Sequence, residues 1–263
     1  MKINGYDINY DEAELKDKME NQTLDVRLIS PDFEGYKNLS EGNKKALAHL
    51  VAAARMVNDV ALEQDHPMNL PQKKALAEAA AAGSSHAALA LELFNSLNGV
   101  AGYNGVDKEP VEVFAGIRLL PGHNFYPADL SPEEFRQILI AMLKAGKSEE
   151  VRKILSARTM VRRAGGELKA IDYTEYFAAA FSAIANELEV AAHYADDEAF
   201  KDYLGWQAQA LLQNNPDMDM LADRHWAVLQ DTPLEFTLSR ENYDDEITPA
   251  VYDNGELKAL LAE

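Results

Sequence analysis

Apolar residues recur at three- and four-residue spacings along most of the chain, and that period predicts helices. From Ser40 to about Glu63, the residues Leu47, Leu50, Val51, Ala54, Val57 and Ala61 fall on one stripe. His66-Pro67 ends this helix, because proline lacks an N–H and restricts the residue before it. Pro71 suits the first turn of an alanine-rich helix, which Gly83 closes. Ser84 or Ser85 caps another that runs to about Leu97. Ser131-Pro132-Glu133-Glu134 is a capping box with proline at the first helical position, followed by a buried face of Phe135, Ile138, Leu139 and Met142. Ser148 starts a shorter helix. Asp172 to about Ala195 is helical, with Tyr176, Ala180, Ile184, Leu188 and Ala191 in register. Asp196-Asp197 breaks and recaps it. Phe200, Tyr203, Leu204, Gln207 and Leu211 line the next helix, Pro216 opens a third that carries Trp226, and GELKALLAE forms the last.

Four stretches depart from this period. The chain to about Phe33 is polar and acidic, with one short helix near Asp11–Glu20, and SPDFEGY reads as a loop. Asn98 to Pro127 is poor in helix: NGVAGYNGVDKEP is a loop, VEVFAGI has strand character and PGHNFYPADL is irregular. A stretch of this kind inside a helical protein is either a functional loop or a surface connection. Thr159–Arg163 and Leu168–Ile171 flank Gly165-Gly166 as a hairpin. Leu234, Phe236 and Leu238 alternate with polar residues and predict a short strand. The fold class expected is mainly α with a few short strands. A polar N-terminal segment, 1–39, precedes a helical lobe, 40–263.

Composition narrows the function. Hydrophobic residues make up 47% and charged residues 26% of the 263, a globular mixture. Against 44 Asp and Glu stand 25 Lys and Arg, a formal charge of -19. Such a chain repels phosphate backbones and anionic lipid, so neither nucleic acid nor a membrane surface is the expected partner. A cationic group such as a peptide's amino terminus suits it better. No run of apolar residues is long enough to span a membrane. The opening MKINGYDINYDEAELKD does not read as a signal peptide, which favours the cytoplasm. With no cysteine, thiolate metal sites, disulfides and cysteine nucleophiles are excluded.

The chemistry on offer is sparse. No two of the six histidines lie within a helical turn of one another, so no helix presents the paired imidazoles of a zinc hydrolase. Phosphate-binding glycine loops and a G-x-S-x-G elbow are missing. The remaining candidate is Arg240-Glu241-Asn242-Tyr243-Asp244-Asp245-Glu246, just after the predicted strand. On extended backbone Glu241 and Tyr243 share a face. A carboxylate there suits a peptide amino terminus, and a phenol can donate to a carbonyl or to developing negative charge. The same residues also read as a solvated acidic turn.

Taken together, several segments resemble the dipeptidyl peptidase III family, zinc exopeptidases that release dipeptides from peptide N-termini. The likeness is to the bacterial branch. HNFYPADLSPEEF resembles its N-F-Y-P-x-D stretch, and TMVRRAGGELKAIDYTEYF its hairpin and the start of a long helix. FKDYLGWQAQALL resembles its Y-L-x-x-(R/Q)-A-x-A-L-L helix, DRHWAVLQDTPLEFTLSRENYDDEIT its W-x-x-L…E-x-Y stretch, and LVAAARMVNDVALEQ a further helix.

The resemblance implies one helical lobe of a larger two-lobed metallopeptidase. It gives Glu241 a part in binding the substrate's amino terminus and points Tyr243 towards the scissile carbonyl. Zinc is expected in the full-length enzyme, on an H-E-x-x-G-H helix that does not occur in these 263 residues. The chain therefore reads as an N-terminal, substrate-binding portion with no metal or catalytic residue of its own, inactive alone. Its expected partners are a peptide and a missing C-terminal zinc lobe. Asn242 stands where the family has Thr or Ser, and Leu97-Asn98-Gly99-Val100-Ala101-Gly102-Tyr103 replaces an Asn-Tyr-Gly-Pro-like loop. The alternative is a non-catalytic helical domain that binds peptides or proteins. The first reading expects exposed apolar surface on the final helix and near Leu234–Leu238, and the second expects that surface closed.

Overall fold

The computed structural model describes residues 1–22, 30–105, 108–239, 245–252 and 254–262. In chain order the elements are β1 (Lys2–Ile3), β2 (Tyr6–Asp7), α1 (Glu12–Gln22), α2 (Glu34–Lys37), α3 (Glu41–Asp65), α4 (Asn69–Ala81) and α5 (Ser85–Leu97). Next come β3 (Ala101–Tyr103), β4 (Pro110–Glu112), α6 (Pro132–Lys144), α7 (Ser148–Ile154), β5 (Thr159–Ala164), β6 (Glu167–Asp172) and α8 (Tyr173–Tyr176). The last are α9 (Ala178–Tyr194), α10 (Glu198–Gln213), α11 (Pro216–Ala227), α12 (Pro249–Tyr252) and α13 (Gly255–Ala262). The architecture is mainly helical, and among the described residues the strands form three separate antiparallel pairs, β1-β2, β3-β4 and β5-β6.

The chain divides into two compact units, with α3 passing from one to the other. The first comprises Met1–Leu28 and Ala61–Ser131. Here α4 and α5 form a helical hairpin around Leu76, Ala87, Ala90 and Leu93. Gly83 turns it at φ 95°, and the Ser84 hydroxyl accepts from Ala87 N at 3.2 Å, which caps α5. Asn98, in the left-handed region, ends α5 and sends the chain into β3. The β3–β4 pair and the Ile8–Phe114 bridge close the core over Val111, Val113 and Phe114. The stretch read as loop before Pro110 therefore contributes β3, and the polar start contributes β1 and β2. These strands are two or three residues long, too short to leave an alternation in the sequence.

The second unit comprises Ile29–Val60 and Pro132–Glu263. Its centre is the packing of α10 against both α9 and α11. Asp197 caps α10 by accepting from Phe200 N at 2.8 Å, and the predicted stripe of Phe200, Tyr203, Leu204, Gln207 and Leu211 is buried. The β5–β6 hairpin has Arg163 opposite Leu168 and turns at Gly165 with φ 66°. Arg163 binds Glu134 of α6 through both carboxylate oxygens, at 2.8 and 2.9 Å.

Three expectations change in this unit. A short α2 stands where a loop was read. The helix after Asp172 is interrupted at Phe177, so the buried face becomes Tyr173, Phe177, Phe181, Ile184 and Leu188, while Tyr176 turns out to receive Arg162 at 2.9 Å. The α3 stripe also rotates. Asn43, Ala46, Leu50 and Ala53 are buried, whereas Val51 is 43% exposed. Gly42 explains the choice: a Cβ there would lie 2.7 Å from the Tyr194 carbonyl, so α3 approaches its neighbour on the small-residue face.

One buried group in the first unit lacks a partner. Gln72 of α4 is fully buried, and neither its amide nitrogen nor its oxygen is hydrogen-bonded. Such a group costs about 1–3 kcal/mol against an apolar side chain of similar size. Gln72→Leu is expected to raise the thermal midpoint by roughly 2–6 °C, read by calorimetry. A lower midpoint would show that the amide is satisfied in solution.

Candidate functional site

Glu241 and Tyr243 lie outside the described residues. What the structure gives is the chain on either side of them, in the second unit. Leu234 is buried, Phe236 and Leu238 are half-buried, and Glu235, Thr237 and Ser239 are exposed. The alternation predicted from sequence is present, but the segment joins no strand among the described residues.

One side chain of α10 hydrogen-bonds to this segment. Gln207, 7% exposed, donates from Nε2 to the Leu238 carbonyl at 2.6 Å. Tyr203 sits one turn earlier on the same face and is also buried. Its phenol is pushed up to about 12, first by burial and then by the charges of Asp223 and Glu235, while a hydrogen bond from the Leu238 backbone opposes the shift. Beyond residue 244, Asp245 Oδ1 accepts from Ile247 N and Thr248 N, both at 2.6 Å, and buried Ile247 anchors that end. The sequence pattern gave Gln207 a core position but not a hydrogen-bonding task. Its one signal was a polar residue on an apolar stripe.

A second polar cluster, in the first unit, closes the C-terminal end of α3. Asn124 donates from N to the Gln64 carbonyl at 2.8 Å and from Nδ2 to the Glu63 carbonyl at 2.6 Å. His123 Nδ1 lies 2.8 Å from Asp65 Oδ1, and Asn69 Nδ2 reaches Asp65 Oδ2 at 3.1 Å and the Leu62 carbonyl at 2.9 Å. Asn69 Oδ1 accepts from Val100 N at 2.8 Å. These contacts satisfy carbonyls that no later turn of α3 can reach. They tie two parts of the helix-poor stretch to one helix end. Sequence reasoning missed the cluster because its members are far apart in the chain.

No three His, Asp or Glu side chains gather to hold a metal ion among the described residues. The histidines have other engagements. His49 pairs with Glu187 at 2.6 Å, His86 reaches the Tyr10 carbonyl at 2.8 Å, His66 accepts from Met68 N at 3.0 Å, and His225 stacks on Trp206. This donor set does not fit a zinc ion. A depression of about 240 Å³ between α6 and the hairpin turn is lined by Gln137, Ile138, Ala141, Met142, Gly166 and Glu167, with no nucleophile or base–acid pair. Among the described residues no helix is long and apolar enough to cross a membrane.

No protein-family model matches this chain, and no curated protein sequence does. Solved structures do. The dipeptidyl-peptidase III from Corallococcus sp. strain EGB matches over 82% of this chain with a TM-score of 0.65 and 22% identity. That from Caldithrix abyssi matches over 73% with a TM-score of 0.59 and 28% identity. The chain has part of the dipeptidyl-peptidase III fold. It spans 34% of the Caldithrix protein and 37% of the Corallococcus protein, about a third of each. The helical class read from the sequence and the resemblance drawn from its motifs both agree with this fold.

His66 offers a test of the cluster at the end of α3. Burial lowers its pKa from 6.5, against smaller opposing effects of Asp65 and the Arg118 backbone. The fold therefore favours the neutral ring. Above pH 6.5 that contribution is complete; as pH falls, the unfolded chain takes up the proton first, and stability is lost down to the lower folded-state value. His66→Asn keeps an acceptor for Met68 N. Denaturant unfolding between about pH 7.5 and about pH 5 should show a smaller acid-induced loss in the variant than in the unaltered protein.

Proposed function

We propose that this chain is the N-terminal, peptide-binding portion of a dipeptidyl-peptidase III-type enzyme, a hydrolase that removes dipeptides from peptide amino termini. The observation that carries the reading is the fold match of most of this chain to about a third of two such enzymes. In this reading Glu241 pairs with the substrate's ammonium group and Tyr243 donates to the scissile carbonyl. The net charge of -19 favours a cationic terminus over anionic ligands. The remaining two thirds of such an enzyme would supply the zinc and its ligands, since the side chains described above do not fit the ion. The chain alone binds peptide without cleaving it.

A second reading, a non-catalytic helical domain that binds peptides or proteins, is favoured by one observation. Among the described residues, neither the last helix nor Leu234–Ser239 carries an exposed large apolar side chain, and Leu257 is fully buried. Among the described residues from α10 onward, the exposed large apolar side chains are Leu212, Met220, Trp226 and Val228.

With a chromogenic dipeptide substrate and added zinc, this chain should give no hydrolysis; clear turnover contradicts both readings. Glu241→Ala, placed in a chain that includes the H-E-x-x-G-H segment, should raise KM for a free-terminus peptide by roughly tenfold or more, the loss of a charge-assisted contact. Unchanged kinetics would remove Glu241 from the site.

A further inference from the structure

Nine large apolar side chains are exposed among the described residues, and three of them, Met220, Trp226 and Val228, belong to α11 and its C-cap. The two sides of this helix differ. Ala222 is buried, and Met218, Leu221 and His225 are half-buried, with His225 stacked on Trp206 of α10. Met220, Asp223, Trp226 and Ala227 are exposed, at three- and four-residue spacings that make them neighbours on the outward side. Val228 is 68% exposed, Met220 45% and Trp226 42%. From Met220 to Val228 the helix axis runs about 12 Å. A single exposed apolar residue is ordinary, but a group of them on one short helix marks a surface that associates.

Charge selects the associate. Residues 216–239 carry five carboxylates, Asp217, Asp219, Asp223, Asp231 and Glu235, against one arginine, Arg224. Arg158 occupies Asp219 at 2.5 Å, whereas Asp217, Asp223, Asp231 and Glu235 are exposed. A second copy of a chain with a net charge of -19 would bring the same carboxylates to this face, and it would be repelled. Anionic lipid and nucleic acid would be repelled in the same way. A segment whose apolar residues are flanked by Lys or Arg covers the apolar side chains and neutralises the carboxylates together. Trp226 adds a ring face that attracts either cation, and Met220 adds a flexible thioether that adapts to what it meets.

We propose that the outward face of α11 docks a basic amphipathic helix of a partner protein. Met220, Trp226 and Val228 lie against its apolar stripe, and Asp217, Asp223 and Asp231 lie beside its Lys and Arg side chains. Two turns of helix offer a short straight row, which the apolar stripe of a second helix matches. The face involves neither Glu241 nor Tyr243, so it stands or falls apart from the peptide-terminus reading.

The test uses the full chain and an amphipathic Leu/Lys peptide of about 18 residues, acetylated and amidated so that it offers no free terminus. Calorimetry should show one peptide bound per chain. Trp226→Ser and Met220→Ser should each weaken binding about tenfold, and Asp223→Asn about threefold. Raising the salt from about 0.05 to about 0.5 M should weaken the complex severalfold. A Leu/Glu peptide with the same apolar stripe should not bind, nor should a scrambled Leu/Lys peptide that lacks the stripe. The thermal midpoint of each variant is measured alongside, and Val228→Ser takes the place of Trp226→Ser if that chain does not fold.

Undiminished binding in the Trp226 and Met220 variants would reduce the effect to the general attraction of an acidic chain and overturn the proposal. Equal affinity for the Leu/Glu or the scrambled peptide would overturn it too, as would no binding of the Leu/Lys peptide. A dimer of the unaltered chain that Trp226→Ser dissociates, read by light scattering, would give the face to a second copy instead.

Discussion

Backbone polar groups outside helices and strands need partners, and in this protein helix side chains and loop amides provide many of them. Asn124 and Asn69 cap the carbonyls at the end of α3 in one unit. Gln207 holds the Leu238 carbonyl in the other. A buried N–H or C=O left without a partner costs about as much as a whole element's net propensity contributes, so the irregular segments have few courses open to them. That requirement fixes long non-helical stretches where, among the described residues, the strands form three two-stranded pairs.

The sequence made the helices legible because their information is local. Ser84, Asp197 and Pro216 each mark a boundary through chemistry completed within a few residues, and the structure places helix starts at those positions. What escaped was non-local. The buried side of α3 was read from the larger apolar residues, but the decisive fact was that Gly42 lets the Tyr194 carbonyl approach. The strand expected at Leu234–Leu238 shows the right alternation, yet its partner is a helix, which periodicity cannot reveal. Of the candidate site, Glu241 and Tyr243 were named from the sequence and lie outside the described residues. The means of holding the chain beside them was not legible, since a glutamine on an apolar stripe looks like any other interruption.

Fold and chemistry separate in the comparisons as well. At 22 and 28% identity the helical pattern survives across most of this chain, because a stripe of apolar residues tolerates exchange within itself. A zinc site does not tolerate exchange in that way: it needs particular donors converging on a point. Four of the six imidazoles here bond instead to Glu187, the Tyr10 carbonyl, the Met68 amide and Asp65. Sharing a fold with a dipeptidyl-peptidase III over about a third of its length therefore conveys a scaffold, and a scaffold alone does not fix the chemistry.

The loop at Leu97–Tyr103, where the resemblance implied a different pattern, has a structural origin of its own. Asn98 adopts a left-handed conformation, and Gly99 packs so closely on Asn69 that a Cβ would meet its side-chain oxygen at 3.3 Å. Asn69 then accepts from Val100 N while donating to the end of α3. The glycine, the asparagine that precedes it and the buried asparagine of α4 form one interlocked solution: changing any one strains the others. A proline in this stretch would remove a backbone donor, and at Val100 the lost donor is the one that Asn69 uses. The course of the loop therefore follows from how this unit closes the end of α3, and it leaves Tyr103 58% exposed.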